Sequence, residues 1–226
     1  MKSQVRGGTR WKRFAVVMVP SVAATAAIGV GLAQGALAAS FSISGQEFKV
    51  KAQVLEGTNF VQYGSVDSGR TLDDKSAFAA PVAVSGFSEA HITNMCQSVV
   101  TPKVPFVGDI TLRLEAGGEG AKDPNQRVYA KDIYLDVSDL KADAEFGNID
   151  IGVAAGELNG GDKNKPGIQP GTPKDRVYQN GFAQRAETAK LSNVEQKAWA
   201  TTAATFKLPD LKLSLHRGTD AECYKG

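Results

Sequence analysis

Histidine and cysteine are nearly missing from this 226-residue chain, which has two of each. Neither His91 with His216 nor Cys96 with Cys223 stands at the short spacing that zinc ligands show, so no metal centre is expected. Asp73-Asp74 and Asp162-Lys163-Asn164 can at most hold calcium weakly, because they lack the fixed spacing and closing glutamate of a calcium loop. Gly117-Gly118-Glu119-Gly120 lacks the Lys-Ser/Thr pair that must follow a phosphate loop, and no cofactor is expected either.

Acidic residues are absent from positions 1–13, which carry Lys2, Arg6, Arg10, Lys12 and Arg13, and all charge is absent from Phe14 to Ala38. A basic stretch ahead of a long apolar run is the pattern of an export segment, and the small residues of Gly35-Ala36-Leu37-Ala38-Ala39-Ser40 fit cleavage after Ala38 or Ala39. As a helix the run would reach about 37 Å, more than a hydrocarbon core of about 30 Å, so an uncleaved membrane anchor is the alternative. Pro20, Gly29, Gly31, Gln34 and Gly35 interrupt it and favour cleavage. Either way, residues 1–39 are expected to be a signal peptide or N-terminal transmembrane helix. Residues 40–226 then form a single extracytoplasmic domain, secreted or tethered to the membrane.

The formal charge of +2 misdescribes that domain, because five of the 26 basic residues fall in the export segment. The remainder has 21 basic against 24 acidic residues, a net −3, which gives no electrostatic footprint for nucleic acid. Both cysteines lie in the exported part, where an oxidising compartment favours one Cys96–Cys223 disulfide over two free thiols.

What the chain has in quantity is alternation of period two. Phe48-Lys49-Val50-Lys51-Ala52, Ile110-Thr111-Leu112-Arg113-Leu114, Ile133-Tyr134-Leu135-Asp136-Val137 and Leu211-Lys212-Leu213-Ser214-Leu215 each put apolar residues on one face, the mark of a half-buried strand. The expected class is all-β. Ile92-Thr93-Asn94-Met95, Val137-Ser138-Asp139-Leu140 and Leu191-Ser192-Asn193-Val194 share a pattern of apolar, Ser/Thr, Asn/Asp, apolar, in which the polar pair can bend or end a strand. Phe106, Phe146 and Phe206 follow them, each placed to plug the core beneath the next strand. Such weak strand-turn-strand repeats of 40–60 residues predict a meandering or solenoid-like antiparallel sheet or sandwich. Residues 156–180, rich in Gly, Pro, Asn and Lys, are expected to be a mobile loop. Residues 186–205 are read as strand despite their helix-forming composition.

Hydrolase chemistry has few possible carriers. Gly86-Phe87-Ser88-Glu89-Ala90 with His91 beside it approaches a nucleophile elbow, and His216 is the other possible base. The final glycine of the elbow is replaced by alanine, and the sequence around Ser88 reads as strand rather than as a strand-to-helix turn. Ser88, His91 and His216 are therefore weak catalytic candidates, and no catalytic residue is assigned.

Met95-Cys96-Gln97-Ser98-Val99-Val100-Thr101-Pro102, Asp143-Ala144-Glu145-Phe146-Gly147-Asn148-Ile149, Thr205-Phe206-Lys207-Leu208, Leu211-Lys212-Leu213-Ser214-Leu215-His216 and Arg10-Trp11-Lys12-Arg13-Phe14 resemble an uncharacterised family of exported actinobacterial proteins of the Streptomyces type. The resemblance covers nearly the whole chain. Members are often labelled "cholesterol esterase", which implies a sterol-ester hydrolase. The expected function is instead a non-enzymatic envelope or secreted protein that binds lipid or another envelope component through an apolar sheet face. The alternatives are that hydrolase and a structural surface protein assembling through sheet edges. An uncleaved N-terminal segment would add the membrane as a partner.

Overall fold

A computed structural model describes residues 43–118 and 123–225. The expected export helix, with its cleavage site, lies outside the described residues. Eight strands make up nearly all the regular structure: β1 (Phe48–Arg70), β2 (Ala77–Thr93), β3 (Met95–Val104), β4 (Gly108–Ala116), β5 (Val128–Ala154), β6 (Phe182–Thr202), β7 (Thr205–Lys207) and β8 (Lys212–Arg217). Single 3₁₀ turns stand at Pro124–Gln126 and Ala155–Glu157. The protein is all-β, and every pairing between strands is antiparallel.

Instead of stacking in sequence order, four long strands close on one another. β1 pairs with β2 along one edge and β6 along the other, β2 pairs with β5, and β5 pairs with β6. This small barrel leaves no free edge where all four strands run together. β3, β4 and β8 extend from it as a flat apron, attached where Lys49–Lys51 of β1 pair with Cys96–Ser98 of β3. β7 continues beyond β6 and pairs with the start of β5.

The stretches that read as separate short strands are joined into strands of up to 27 residues. A strand that long cannot keep one face inward around a narrow ring by simple alternation. The chain resets the alternation at Asn59, Asn94, Asp132, Asn148 and Asn193, all with φ between 49° and 55°. Around four of these positions the core-facing residues are three apart rather than two: Ile92 and Met95, Ala130 and Ile133, Phe146 and Ile149, Leu191 and Val194. At the fifth, Gly57 and Phe60 do the same, since a Cβ on Gly57 would run into the Phe87 ring. Asn and Asp are the side chains that best tolerate the left-handed conformation, which explains their use here.

At the level of Asn59 neighbouring strands switch together, so pairing is preserved. Thr58 faces Glu89 and Val61 faces Gly86 on either side of Asn59, with no residue gained or lost. The Asn59 amide donates to Ser88 Oγ at 3.1 Å, and Asn148 donates to Glu187 at 2.6 Å. Of the tetrapeptides that looked like repeat boundaries, residues 191–194 are thus a phase switch inside a continuous strand, residues 92–95 are one at the junction of β2 and β3, and residues 137–140 lie at register shifts between β5 and β6 without a left-handed residue. Their phenylalanines are not equivalent: Phe146 packs on Phe60 with centroids 5.1 Å apart, Phe206 is partly exposed and Phe106 is fully exposed.

The segment expected to be mobile is seated on the barrel's outer face. Ala155, Leu158 and Val177 are buried there against Val61, Tyr63, Val82 and Val84. The Gln169 N–H donates to the Tyr63 hydroxyl at 2.8 Å, and Arg176 donates to Ser68 at 2.6 Å. Beyond Asn59 the odd-numbered face of β1 points away from the barrel interior, beginning with the apolar Val61 and Tyr63, and this segment covers it.

The phase switch is testable at Asn193. Asn193→Gly should leave stability within about 1 kcal/mol of the parent, while Asn193→Val, β-branched in a left-handed conformation, should lose roughly 1–2 kcal/mol or more in denaturant unfolding. Equal stability of the two variants would contradict the switch.

Candidate functional site

Where β1 begins, the end of the barrel holds a cavity of about 270 Å³, lined by apolar side chains that include Phe48, Val50, Ile92, Met95, Leu135 and Phe206. A row of directly opposed residues leads out of it: Val50 faces Gln97, Gln97 faces Leu114, and Leu114 faces Leu213. Opposed residues in antiparallel strands project to the same side, so the face that lines the cavity continues across the apron. A parallel row, Val99, Leu112 and Leu215, lies beside it.

The outer part of this face is uncovered. Leu213 and Leu215 are 60% and 69% exposed, and Leu211 stands open beside them. The β3–β4 hairpin carries Phe106 at its tip with the ring wholly in solvent, followed by exposed Val107. Lys103 on the hairpin and Arg217, opposite Ile110, put exposed cations at the rim. The alternation of β8 was correctly legible, but its apolar side is exposed because no second layer among the described residues packs on this edge strand.

The opposite face of the apron is closed by the C-terminal tail. Cys223 is disulfide-bonded to Cys96 with Cα atoms 5.8 Å apart, as expected, and its N–H donates to Ser98 Oγ at 3.0 Å. Thr111 Oγ1 donates to the Gly218 carbonyl at 2.6 Å, and Arg113 donates to that of Ala221 at 3.2 Å. Lys49 pairs with Glu222 at 3.1 Å. Ser98 and Thr111 are buried by this tail. The Arg113 hydrogen bond, with Lys212 also near, holds Glu115 below the usual carboxylate range despite some burial.

The structure does not bring the three hydrolase candidates together. Ser88 Oγ accepts from Asn59 at the barrel's phase-switch level and has neither histidine as a hydrogen-bond partner. The His91 ring lies against Tyr129, centroids 5.3 Å apart, in an outer cleft shared with Glu56, Glu89 and Lys190. His216 is on β8, which pairs only with β4 among the described residues, and its ring nitrogen lies 2.9 Å from Ser214 Oγ. A larger cleft of about 520 Å³ between β1, β5, β6 and the overlying segment is polar, and in it Arg185 donates to Asp150 at 2.9 Å. Among the described residues no helix is long and apolar enough to cross a membrane, and no group of three metal-ligating side chains occurs.

What sequence reasoning missed is the hairpin tip. Pro105-Phe106-Val107-Gly108 carries turn residues at both ends and two large apolar residues between them, a signal that these side chains project outward.

A family model described as "Family of unknown function (DUF6230)" matches residues 44–224, and the chain belongs to that family. No curated protein and no solved structure matches it.

The disulfide spans 127 positions of sequence, so by loop-closure entropy its removal in Cys223→Ser should cost up to about 4–5 kcal/mol. Thermal melts should show the loss, and a melting temperature equal to that of the parent would refute it.

Proposed function

We propose that this protein is an exported, non-enzymatic component of an actinobacterial cell envelope that binds lipid through the leucine face of β3–β4–β8 and the apolar cavity behind it. The observation that carries this reading is the unbroken row from Val50 through Gln97 and Leu114 to Leu213, which joins a cavity of about 270 Å³ to an open apolar surface. Exposed leucines in one contiguous patch, with a phenylalanine at a hairpin tip, are what a soluble surface avoids and a lipid-facing one uses. Each such side chain moved from water into acyl chains contributes roughly 1.5–3 kcal/mol. Lys103 and Arg217 at the rim suit anionic headgroups.

Export is supported by the basic and apolar N-terminal sequence together with the Cys96–Cys223 bridge, since such bridges persist in oxidising compartments. The segment covering β1 and β2 leaves the leucine face free, so lipid need displace nothing described here.

One observation favours a second reading, the sterol-ester hydrolase suggested by the "cholesterol esterase" label. Ser214 and His216 form the single serine–histidine contact among the described residues. Serine hydrolysis also needs an acid that orients the imidazole, and His216 has no hydrogen-bonded carboxylate among the described residues.

Vesicle flotation of the chain from Ser40 onward tests the binding reading. Leu213→Asp with Leu215→Asp should weaken association with anionic vesicles about tenfold or more per leucine, with little change in melting temperature because both sites are exposed. Unchanged flotation would sink it. Ser88→Ala, His91→Ala and His216→Ala should leave flotation intact, and no variant should alter ester hydrolysis. Ester turnover that disappears in folded His216→Ala would establish the hydrolase instead.

A further inference from the structure

Beneath the segment that covers β1 and β2, two carboxylates from distant parts of the sequence meet. Asp67 projects from β1 and Asp136 from β5, and they are 9% and 3% exposed. Asp67 Oδ2 and Asp136 Oδ1 have no hydrogen-bond partner. Both side chains line a small space of about 40 Å³. That is more than the roughly 10–15 Å³ needed for one water-sized occupant. Ser65, Gln169 and Thr172, whose side chains carry oxygens, line it as well, beside the apolar Ile43, Pro170 and Pro173. Arg176 also reaches this space, but its Nη2 is directed to Ser68 Oγ at 2.6 Å.

Two buried carboxylates at such close quarters repel: burial and the neighbouring Asp67 push the Asp136 carboxyl up to about 7, and Arg176 offsets only part of the cost at Asp67, so the pair holds a proton unless a further positive charge stands between the two. We propose that Asp67 and Asp136 form the anionic half of a binding site for one hard divalent cation of the calcium class, which fastens residues 169–176 to the barrel. The chemistry of the donors selects the ion. Every candidate ligand is oxygen, with neither imidazole nor thiolate in reach, which disfavours zinc and copper. Calcium accepts six to eight oxygens in flexible geometry, so carboxylates from rigid strands can combine with hydroxyl and carbonyl oxygens from a loop. Magnesium demands a near-ideal octahedron and keeps several waters, for which this space is small.

The ion would make closure of the covering segment depend on calcium. That segment otherwise holds to the strands around the site through the Gln169–Tyr63 and Arg176–Ser68 hydrogen bonds, with Ser65 Oγ donating to the Arg176 carbonyl at 3.5 Å. This site is on the outer wall of the barrel, formed by different strands from the leucine apron, and its test is independent of lipid binding.

The experiment is calorimetric titration of the purified, chelator-treated protein with calcium chloride, alongside thermal melts and limited proteolysis in calcium and in chelator. One calcium should bind per chain, raise the melting temperature by several degrees and slow cleavage within residues 156–180, and magnesium should bind at least tenfold more weakly. Asp136→Asn and Asp67→Asn, which keep the shape of each side chain, should each abolish the calcium response. Ser65→Ala, a milder change at the rim, should weaken binding without abolishing it. A parent protein that gives no binding heat and no melting shift in millimolar calcium overturns the proposal, whatever the variants do. Binding of undiminished strength in both asparagine variants overturns it equally, because the ion would then sit elsewhere.

Discussion

Side chains on a β-strand alternate between two faces, and a ring of four strands as long as β1 and β5 can close only if that alternation is interrupted. Left-handed Asn and Asp residues interrupt it at matching levels of neighbouring strands. Each switch moves the inward face by one residue, and across Asn59 the strands stay in register, so the core can run from Val50 and Ile92 at one end to Phe60, Phe87 and Phe146 further along. Asn59 and Ser88, adjacent in the ring and hydrogen-bonded, show how one level is tied across strands. A serine that resembled a nucleophile in the sequence is part of this framework.

Each switch also turns a formerly inward set of residues outward. Past Asn59, Val61 and Tyr63 lie on the outer wall, and an apolar outer wall must be covered. Residues 155–181 supply the cover, anchored by Leu158 and Val177 in the second core. Their Gly- and Pro-rich composition reflects the tight turns of a packed cap, where a free loop of the same composition was expected. The two aspartates enclosed beneath it are a consequence of the same geometry, since Asp67 follows Val61, Tyr63 and Ser65 on that odd-numbered face.

Ring closure protects the barrel strands but leaves the apron of β3, β4 and β8 with two faces to account for. The Cys96–Cys223 bridge decides between them. It pins the tail to the side that carries Ser98, Thr111 and Arg113, so polar groups are buried in hydrogen bonds and the leucines are left outside. An apolar face that is solvated while a polar face is covered inverts the usual arrangement of a half-buried sheet. The lipid-binding role proposed above rests on that inversion.

The sequence by itself determined that the protein is all-β, where most strands lie, that residues 186–205 are strand and that the two cysteines belong together. Period two, the tendency of Asn and Asp to break regular extension, and the presence of just two cysteines are local or compositional facts. Only the tertiary structure decided which face of each strand is inside, because Leu213 and Val50 obey the same alternation and differ only in whether another layer lies over them. It also decided that Asn94, at the junction of β2 and β3, and Asn193, within β6, are phase switches, where the sequence suggested boundaries between stacked units. That depends on their lining up across neighbouring strands, at positions far apart in the chain. The meeting of Asp67 with Asp136, and the separation of Ser88 from His216, were decided in the same way: pairing in a closed ring sets which distant residues become neighbours, and no spacing along the chain records it.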